Sequence, residues 1–440
     1  MKIIKGFSQA KAALSREGKE YSFAVSPALK ESLQKLFGTN DPEQAVRQIV
    51  RDVKKGGDDA ILEITLRIDG IKLDSLEVAE GEIADAYRKV DSELVAALKL
   101  AAGRIQSFHE AQKASVWHEV SVKGLSQLIC PLQRVGVYVP GGNASYPSTV
   151  LMTAIPAKVA GVSEVVMVTP PTKNGSISPM VLVAADIARV DRIFCVGGAQ
   201  AVAALAYGTE SVPAVDKICG PGNIFVTLAK KEVFGVVDID GLQGPSEVLI
   251  IADEKANPEN CAADILAQAE HDTLASAILI TTSQQMADEI NREVARQLSG
   301  LSRQSIASES LDRGLIAVVA SLEEAIELSN LYAPEHLCLM VEDAAACIDK
   351  ITNAGCIVAG REATVVLGDY VAGPSHALPT GGTARFSSPL NISDFIKFTS
   401  VIYTEQLDIK QLGKAASTIA RAEGLNAHAR AIENKLKDSG

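Results

Sequence analysis

Apolar residues in the first quarter of the chain recur at helical spacing. Ala45, Val46, Ile49, Val50 and Val53 mark one face of a helix. It opens with Asp41 at the N-cap and Pro42 in the first turn, and Gly56-Gly57 is expected to end it. A second long helical pattern runs from Asp91 to Gln112. From Arg134 the texture changes. Short apolar, β-branched runs at Val135–Val139, Glu164–Val168, Arg192–Val196 and Val215–Cys219 read as strands, and Ala-rich helical segments separate the first three. A second series follows at Glu247–Ala252, Ser276–Thr281, Gly314–Val319, Leu337–Val341 and Cys356–Ala359, again with helices between, such as Asn257–Glu270. Strands alternating with helices predict an α/β protein with parallel sheets and right-handed crossovers. The pattern divides the chain into a helical region over 1–128, α/β units over 129–243 and 244–380 with a hinge at Gly241–Ser246, and a tail over 381–440 that ends in helix.

Composition narrows the class. The 440 residues are 47% apolar and 22% charged, enough for two or more domains. With 42 basic against 54 acidic residues, a net charge of -12 and no Lys/Arg cluster, a nucleic-acid or anionic-membrane partner is disfavoured. The opening MKIIKGFSQAKAALS lacks the apolar core of a signal peptide, and no apolar run reaches the ~18 residues of a membrane span. Seven scattered cysteines without a Cys-x-x-Cys read as reduced core thiols of a cytoplasmic protein.

Several strands of the first series run straight into glycine: Val139-Pro140-Gly141-Gly142, Val196-Gly197-Gly198-Ala199-Gln200 and Cys219-Gly220-Pro221-Gly222-Asn223. In open α/β sheets ligands bind at the carboxyl ends of strands, so three such loops suggest a ligand-facing edge. None is a Gly-x-Gly-x-x-Gly. Of six histidines, four fall after residue 270, each beside other polar residues. Ala333-Pro334-Glu335-His336-Leu337 sets a carboxylate beside an imidazole between a helical pattern and a buried strand. The pair could serve as two bases, or be a capping Glu and a satisfied core His. Gln268 and His271, three apart at a helix end, can share one ligand. Gly368-Asp369-Tyr370 and His376 lie in loop-like sequence, and Glu423 and His428 lie in the tail. Leu425, His428, Ile432 and Leu436 share a helical face, which predicts that His428 points inward. His109 and His118 have no companions and read as structural or surface residues. His271, Asp369 and His428 are zinc-type ligands, with Gln268 a weaker fourth, but spacing makes a zinc site possible and no more.

Longer motifs are more specific. Gly136-Val137-Tyr138-Val139-Pro140-Gly141-Gly142, Val196–Ala201, Val215–Asn223, Gly244-Pro245-Ser246-Glu247-Val248-Leu249, Gln268-Ala269-Glu270-His271, Pro334-Glu335-His336-Leu337 and Leu378-Pro379-Thr380-Gly381-Gly382 occur in order. On these, from about Glu110 to the tail, the chain resembles the histidinol dehydrogenases. The resemblance implies two Rossmann-like parallel-sheet domains, with the N-terminal region packed on the second. It implies a homodimer in which the 381–440 tail completes the partner's site. It also implies oxidation of L-histidinol to L-histidine by two NAD+ through a bound aldehyde, with one zinc per subunit. Zinc ligands map onto Gln268, His271, Asp369 and His428, and paired bases onto Glu335 and His336. Substrate contacts map onto Ser246, Gln268, His271, His336, Asp369, Glu423 and His428, with His376 nearby. NAD contacts map onto Tyr138, Gln200 and Asn223. The nearest rival is a zinc/NAD dehydrogenase of another small polyol or amino alcohol on the same scaffold, and the next is a zinc hydrolase.

Overall fold

The computed structural model describes residues 1–16, 26–118, 120–141 and 145–438, so Gly142 of the first glycine loop lies outside the described residues. The chain enters with β1 (Lys2–Lys5) and the helix Phe7–Leu14, followed by helices Pro27–Phe37, Pro42–Asp69, Glu80–Lys89 and Ser92–Val116. A short hairpin, β2 (Ser121–Val122) and β3 (Leu125–Pro131), leads into the first α/β series. That series holds β4 (Arg134–Tyr138), β5 (Glu164–Thr169), β6 (Arg192–Cys195), β7 (Lys217–Cys219) and β8 (Asp238–Ile239). The second holds β9 (Glu247–Ala252), β10 (Ser276–Thr281), β11 (Leu315–Val318), β12 (His336–Met340) and β13 (Cys356–Ala359). Finally β14 (Ile396–Ile402) returns to pair antiparallel with β3.

The first sheet has the order β6-β5-β4-β7-β8 and the second β1-β11-β10-β9-β12-β13, parallel at every pairing. The inner strand β9 is buried at all six of its positions, because helices cover both faces. Local chemistry sets the helix starts. Asn257 accepts the Glu259 N–H at 2.8 Å with Pro258 at the first turn, and Asp41 accepts the Glu43 N–H at 2.9 Å beside Pro42. Gly57 (φ 54°, ψ -136°) does break the first long helix, but a second helical segment continues directly to Asp69.

The N-terminal region does not pack on the second unit as expected. β1 and the helix Phe7–Leu14 do so, β1 beside β11 and Ala10 and Leu14 in the core with Leu249 and Leu337, while the long helices do not bury their apolar faces there. Val46, Ile49, Val53, Ile61 and Ile64 instead bury against the first sheet's Val166, Val168 and Phe194 and against Ala199–Ala206. Leu98, Ala101 and Ile105 bury on its other face with Leu151, Met152 and Ile155. The reason lies in the crossover helices. Gly198–Tyr207 and Pro147–Ala160 are apolar almost all round, so the sheet covers one side and the N-terminal helices must cover the other.

Residues after 381 also divide differently. Leu390, Ile392, Phe395 and Ile396 join the first sheet's core, and the buried Lys217 ammonium donates to the Asp394 carbonyl at 2.9 Å. The helical hairpin Ile409–Ala422 and Asn426–Asp438 follows, leaving Leu412, Ile419 and Leu425 exposed. His428 is exposed too, contrary to the expected inward face. The inward residues are Ala429, Ile432 and Leu436, with Ile432 and Leu436 closing on Gly413, where a Cβ would lie 3.0–3.2 Å from their methyl and methylene carbons.

Candidate active site

The helix Leu322–Tyr332 stops at Ala333, which takes a left-handed conformation (φ 51°, ψ 66°) with its N–H on the Ser329 carbonyl at 2.8 Å. Pro334 disfavours a helical residue before it, so the chain turns sharply here and β12 begins two residues later. The turn aims Glu335 and His336 at the amino edge of the second sheet, where β9 also starts. One Glu335 oxygen, Oε2, accepts the Ser246 hydroxyl at 2.8 Å and the Glu247 N–H at 2.7 Å. His336 Nδ1 lies 3.8 Å from the same oxygen and 3.4 Å from the Glu247 carbonyl, while its Nε2 lies 3.2 Å from Asp369 Oδ1. The imidazole is thus fixed between two carboxylates.

Burial pushes the Glu335 carboxyl up to about 7, although the His336 charge, the Glu247 N–H and the Ser246 hydroxyl all oppose the rise. Burial pulls His336 down, but the Asp369 hydrogen bond and the charges of Glu335 and Asp369 outweigh it and lift it to about 9. For Asp369 burial works upward, yet His336, His376 and His271 together hold it below its ordinary value. His271 and His376 are both lowered, chiefly by burial. His376 Nδ1 donates to the Asp369 carbonyl at 2.8 Å, which leaves Nε2 with its lone pair. His271, His336, Asp369 and His376 therefore form one electrostatic cluster. Its perturbed groups mark it as a candidate catalytic site.

Donors for a metal adjoin the cluster. Gln268 is buried on the last turn of the helix Pro258–Ala269, and its Nε2 has no hydrogen-bond partner among the described residues. Rotating the amide by half a turn puts its oxygen there instead, so the site suits a cation or a donor. His271 follows one turn on, and Asp369 sits on the helix Val365–Tyr370. Asp264, which sequence reasoning missed, ties these two helices together by accepting the Thr364 hydroxyl at 2.7 Å. Its only signal was a carboxylate four residues before Gln268, at helical spacing and in an apolar stretch. Within one chain, and among the described residues, no three His, Cys, Asp or Glu side chains converge at metal distance. Glu423 and His428 lie exposed on the tail hairpin and are not brought into the cluster by their own chain. The donors Gln268, His271 and Asp369 fit zinc but leave it short of a complete set.

The glycine loops gather at the carboxyl edge of the first sheet. The Tyr138 hydroxyl, at the end of β4, accepts the Gly198 N–H at 3.0 Å. Gly220 (φ 110°) runs so close that a Cβ would lie 2.2 Å from the Tyr138 carbonyl oxygen, so glycine is required there. Gln200 is buried, and its Oε1 has no partner among the described residues. Asn223 caps the helix Ile224–Val233 by accepting the Phe225 and Val226 N–H groups at 3.0 and 3.2 Å. The chain then crosses from this edge to the amino edge of the second sheet. Buried Lys230 holds the crossing by donating to Asp240, to the Gly220 carbonyl at 3.0 Å and to Gln243 Oε1 at 2.8 Å. The Gly244 N–H donates to the Thr380 hydroxyl at 2.6 Å. His109 is buried on the Ile105 carbonyl at 2.9 Å and His118 is exposed. All seven cysteines are free thiols. No helix among the described residues is long and apolar enough to cross a membrane.

Comparison with known proteins adds a family. A model described as histidinol dehydrogenase matches residues 34–436. The chain is 58% identical over 438 residues to a histidinol dehydrogenase of Dehalococcoides mccartyi strain CBDB1, covering 99% of this chain and 100% of that one. It is 53% identical over 401 residues to one from Geobacter sulfurreducens, covering 90% and 93%. The crystal structure of histidinol dehydrogenase from Elizabethkingia anophelis matches with a TM-score of 0.89 at 36% identity, covering 100% of this chain and 98% of that one.

Proposed function

The chain belongs to the histidinol dehydrogenase family, and on that premise we propose that it oxidises L-histidinol to L-histidine in two steps through L-histidinaldehyde, using two NAD+. This is the last step of histidine biosynthesis, and a cytoplasmic location fits it. The observation that carries the reading is the His336 ring fixed between Glu335 and Asp369, with His271 in the same cluster. Such a pair suits a reaction that needs two deprotonations and one hydration.

Gln268, His271 and Asp369, with His428 from the tail of a second copy, would hold zinc, which would bind the substrate's imidazole and amine and orient them. Asp369 shared in this way would grip the His336 proton less tightly and free the ring to act as a base. His336 takes the hydroxyl proton as hydride leaves the carbinol carbon for NAD+, giving the aldehyde. Glu335 then takes a proton from water as the water oxygen bonds to the aldehyde carbon, and protonated His336 returns its proton to the aldehyde oxygen, giving the gem-diol and a neutral imidazole. His336 removes a proton from the resulting gem-diol as the second hydride leaves, and the carboxylic acid forms. Ser246 and His376 line the substrate's position, and Glu423 offers a carboxylate that accepts an N–H of its amine. Tyr138, Gln200 and Asn223 would face NAD at the first sheet's carboxyl edge. The exposure of Glu423, His428 and the apolar residues around them supports a homodimer in which each tail completes the partner's site.

NADH formation on L-histidinol, with zinc and with chelator, tests the reading. Activity that persists in metal-free protein would sink the ligand assignment. NADH formation only from another amino alcohol or polyol would favour a sibling dehydrogenase. In single turnovers His336→Asn should depress both oxidations and Glu335→Gln mainly the aldehyde step. A Glu335→Gln variant slow only on the alcohol removes the water-activating role.

A further inference from the structure

Arg16 lies far along the chain from every residue assigned above, yet it reaches the amino edge of β9. Its Nη2 is 2.7 Å from Glu247 Oε1, and its guanidinium carbon sits 3.8 Å from the centre of the Tyr332 ring. The other side is closed by Gly382 (φ 80°), where a Cβ would lie 2.9 Å from Arg16 Cδ and 3.3 Å from Nη1. The Leu378–Gly382 motif, which has no place in the proposed chemistry, thus provides the wall that seats this side chain. The Tyr332 hydroxyl meets the Ser276 hydroxyl at 2.8 Å, and the Ser276 N–H donates to the Ser246 carbonyl at 2.9 Å. Both contacts converge on Ser246 and Glu247, the two residues whose hydroxyl and N–H hold Glu335 Oε2.

We propose that Arg16 is a positioning residue for Glu335, acting through Glu247 and resting on the water-activating role given to Glu335 above. The Glu247 side chain is 9% exposed, and a buried carboxylate held by one cation moves or takes up a proton when that cation is lost. Burial raises Glu247 and the Arg16 charge opposes it. The backbone beside that carboxylate carries the N–H on which Glu335 Oε2 rests at 2.7 Å, so a displaced Glu247 side chain disturbs the support of Glu335. A misplacement of about 1 Å at a reacting group costs up to ~100-fold in rate.

The test compares Arg16→Met, Arg16→Lys, Glu335→Gln and Arg16→Met/Glu335→Gln in single-turnover oxidation of the alcohol and of the aldehyde. Arg16→Met should slow the aldehyde step on the order of 10- to 100-fold and the alcohol step far less. Arg16→Lys, which keeps the charge, should restore part of the loss. In the Glu335→Gln background Arg16→Met should add nothing, because the group it positions is already disabled. Equal losses on both steps, or an undiminished loss in that background, overturn the proposal. A Glu335→Gln variant with normal aldehyde oxidation would instead count against the function assigned to Glu335. A crystal structure settles Arg16 in that event, or where Arg16→Met folds poorly and Arg16→Lys is used. If the Glu247 N–H and Ser246 contacts to Glu335 both persist at about 2.7 and 2.8 Å in a variant that has lost aldehyde oxidation, Arg16 does not position Glu335.

Discussion

Replacing Ser246 by alanine removes one of the two donors that hold Glu335 Oε2 and leaves only the Glu247 N–H at 2.7 Å. A hydrogen bond to a buried charged group contributes about 1.5–3 kcal/mol, and about 1.4 kcal/mol corresponds to one pH unit of proton affinity. Glu335 already stands at about 7, with burial and the Glu247 charge pushing it up and the His336 charge, the Glu247 N–H and the Ser246 hydroxyl pulling it down. Losing the Ser246 hydroxyl stabilises the neutral carboxyl, so the group rises by about one to two further units. The ionised fraction at pH 7 then drops from about half to a tenth or less, and the aldehyde step falls with it by about 5- to 50-fold. Above about pH 9 the rate should recover. Single-turnover aldehyde oxidation, followed by NADH absorbance across pH, reads this as a displaced acid limb. A loss that is the same at every pH, or a rise in KM alone, would refute it and leave Ser246 as a substrate contact only.

Lys230→Met should destabilise the protein by about 3–5 kcal/mol in urea unfolding, since Asp240 would be left buried without its cation. Adding Asp240→Asn to it should recover much of that, and an unchanged unfolding midpoint in the single variant would mean the pair is hydrated in solution. Mixing inactive His336→Asn subunits with inactive His428→Ala subunits should restore about a quarter of wild-type activity. Half the dimers would be hybrids with one intact site each. No recovery would mean that each chain uses its own tail.

Much of this was legible in the sequence. Continuous apolar runs at Glu247–Ala252 and Ser276–Thr281 coincide with β9 and β10, because a parallel strand buried on both faces needs no alternation, and the run Cys356–Ala359 coincides with the half-exposed edge strand β13. Side chains close in sequence, such as Glu335 with His336 or Gln268 with His271, had to be near one another in any fold. The motifs named the family for the same reason: they are local, ordered and long.

What only the tertiary structure decided is which surfaces meet. Periodicity tells a helix which face to bury but not against what. Helix Pro42–Asp69 therefore had a correct stripe and a wrong partner until the all-apolar helix Gly198–Tyr207 supplied its other side. The tail helix had a plausible stripe through His428, yet packing on Gly413 selected Ala429, Ile432 and Leu436 and turned His428 outward. Asp369 at His336, Ser246 at Glu335 and Arg16 at Glu247 are contacts between distant segments. They exist because β9 and β12 pair side by side in the second sheet, which sets Ser246 and Glu247 beside Glu335 and His336, and because the segments carrying Asp369 and Arg16 pack against that edge.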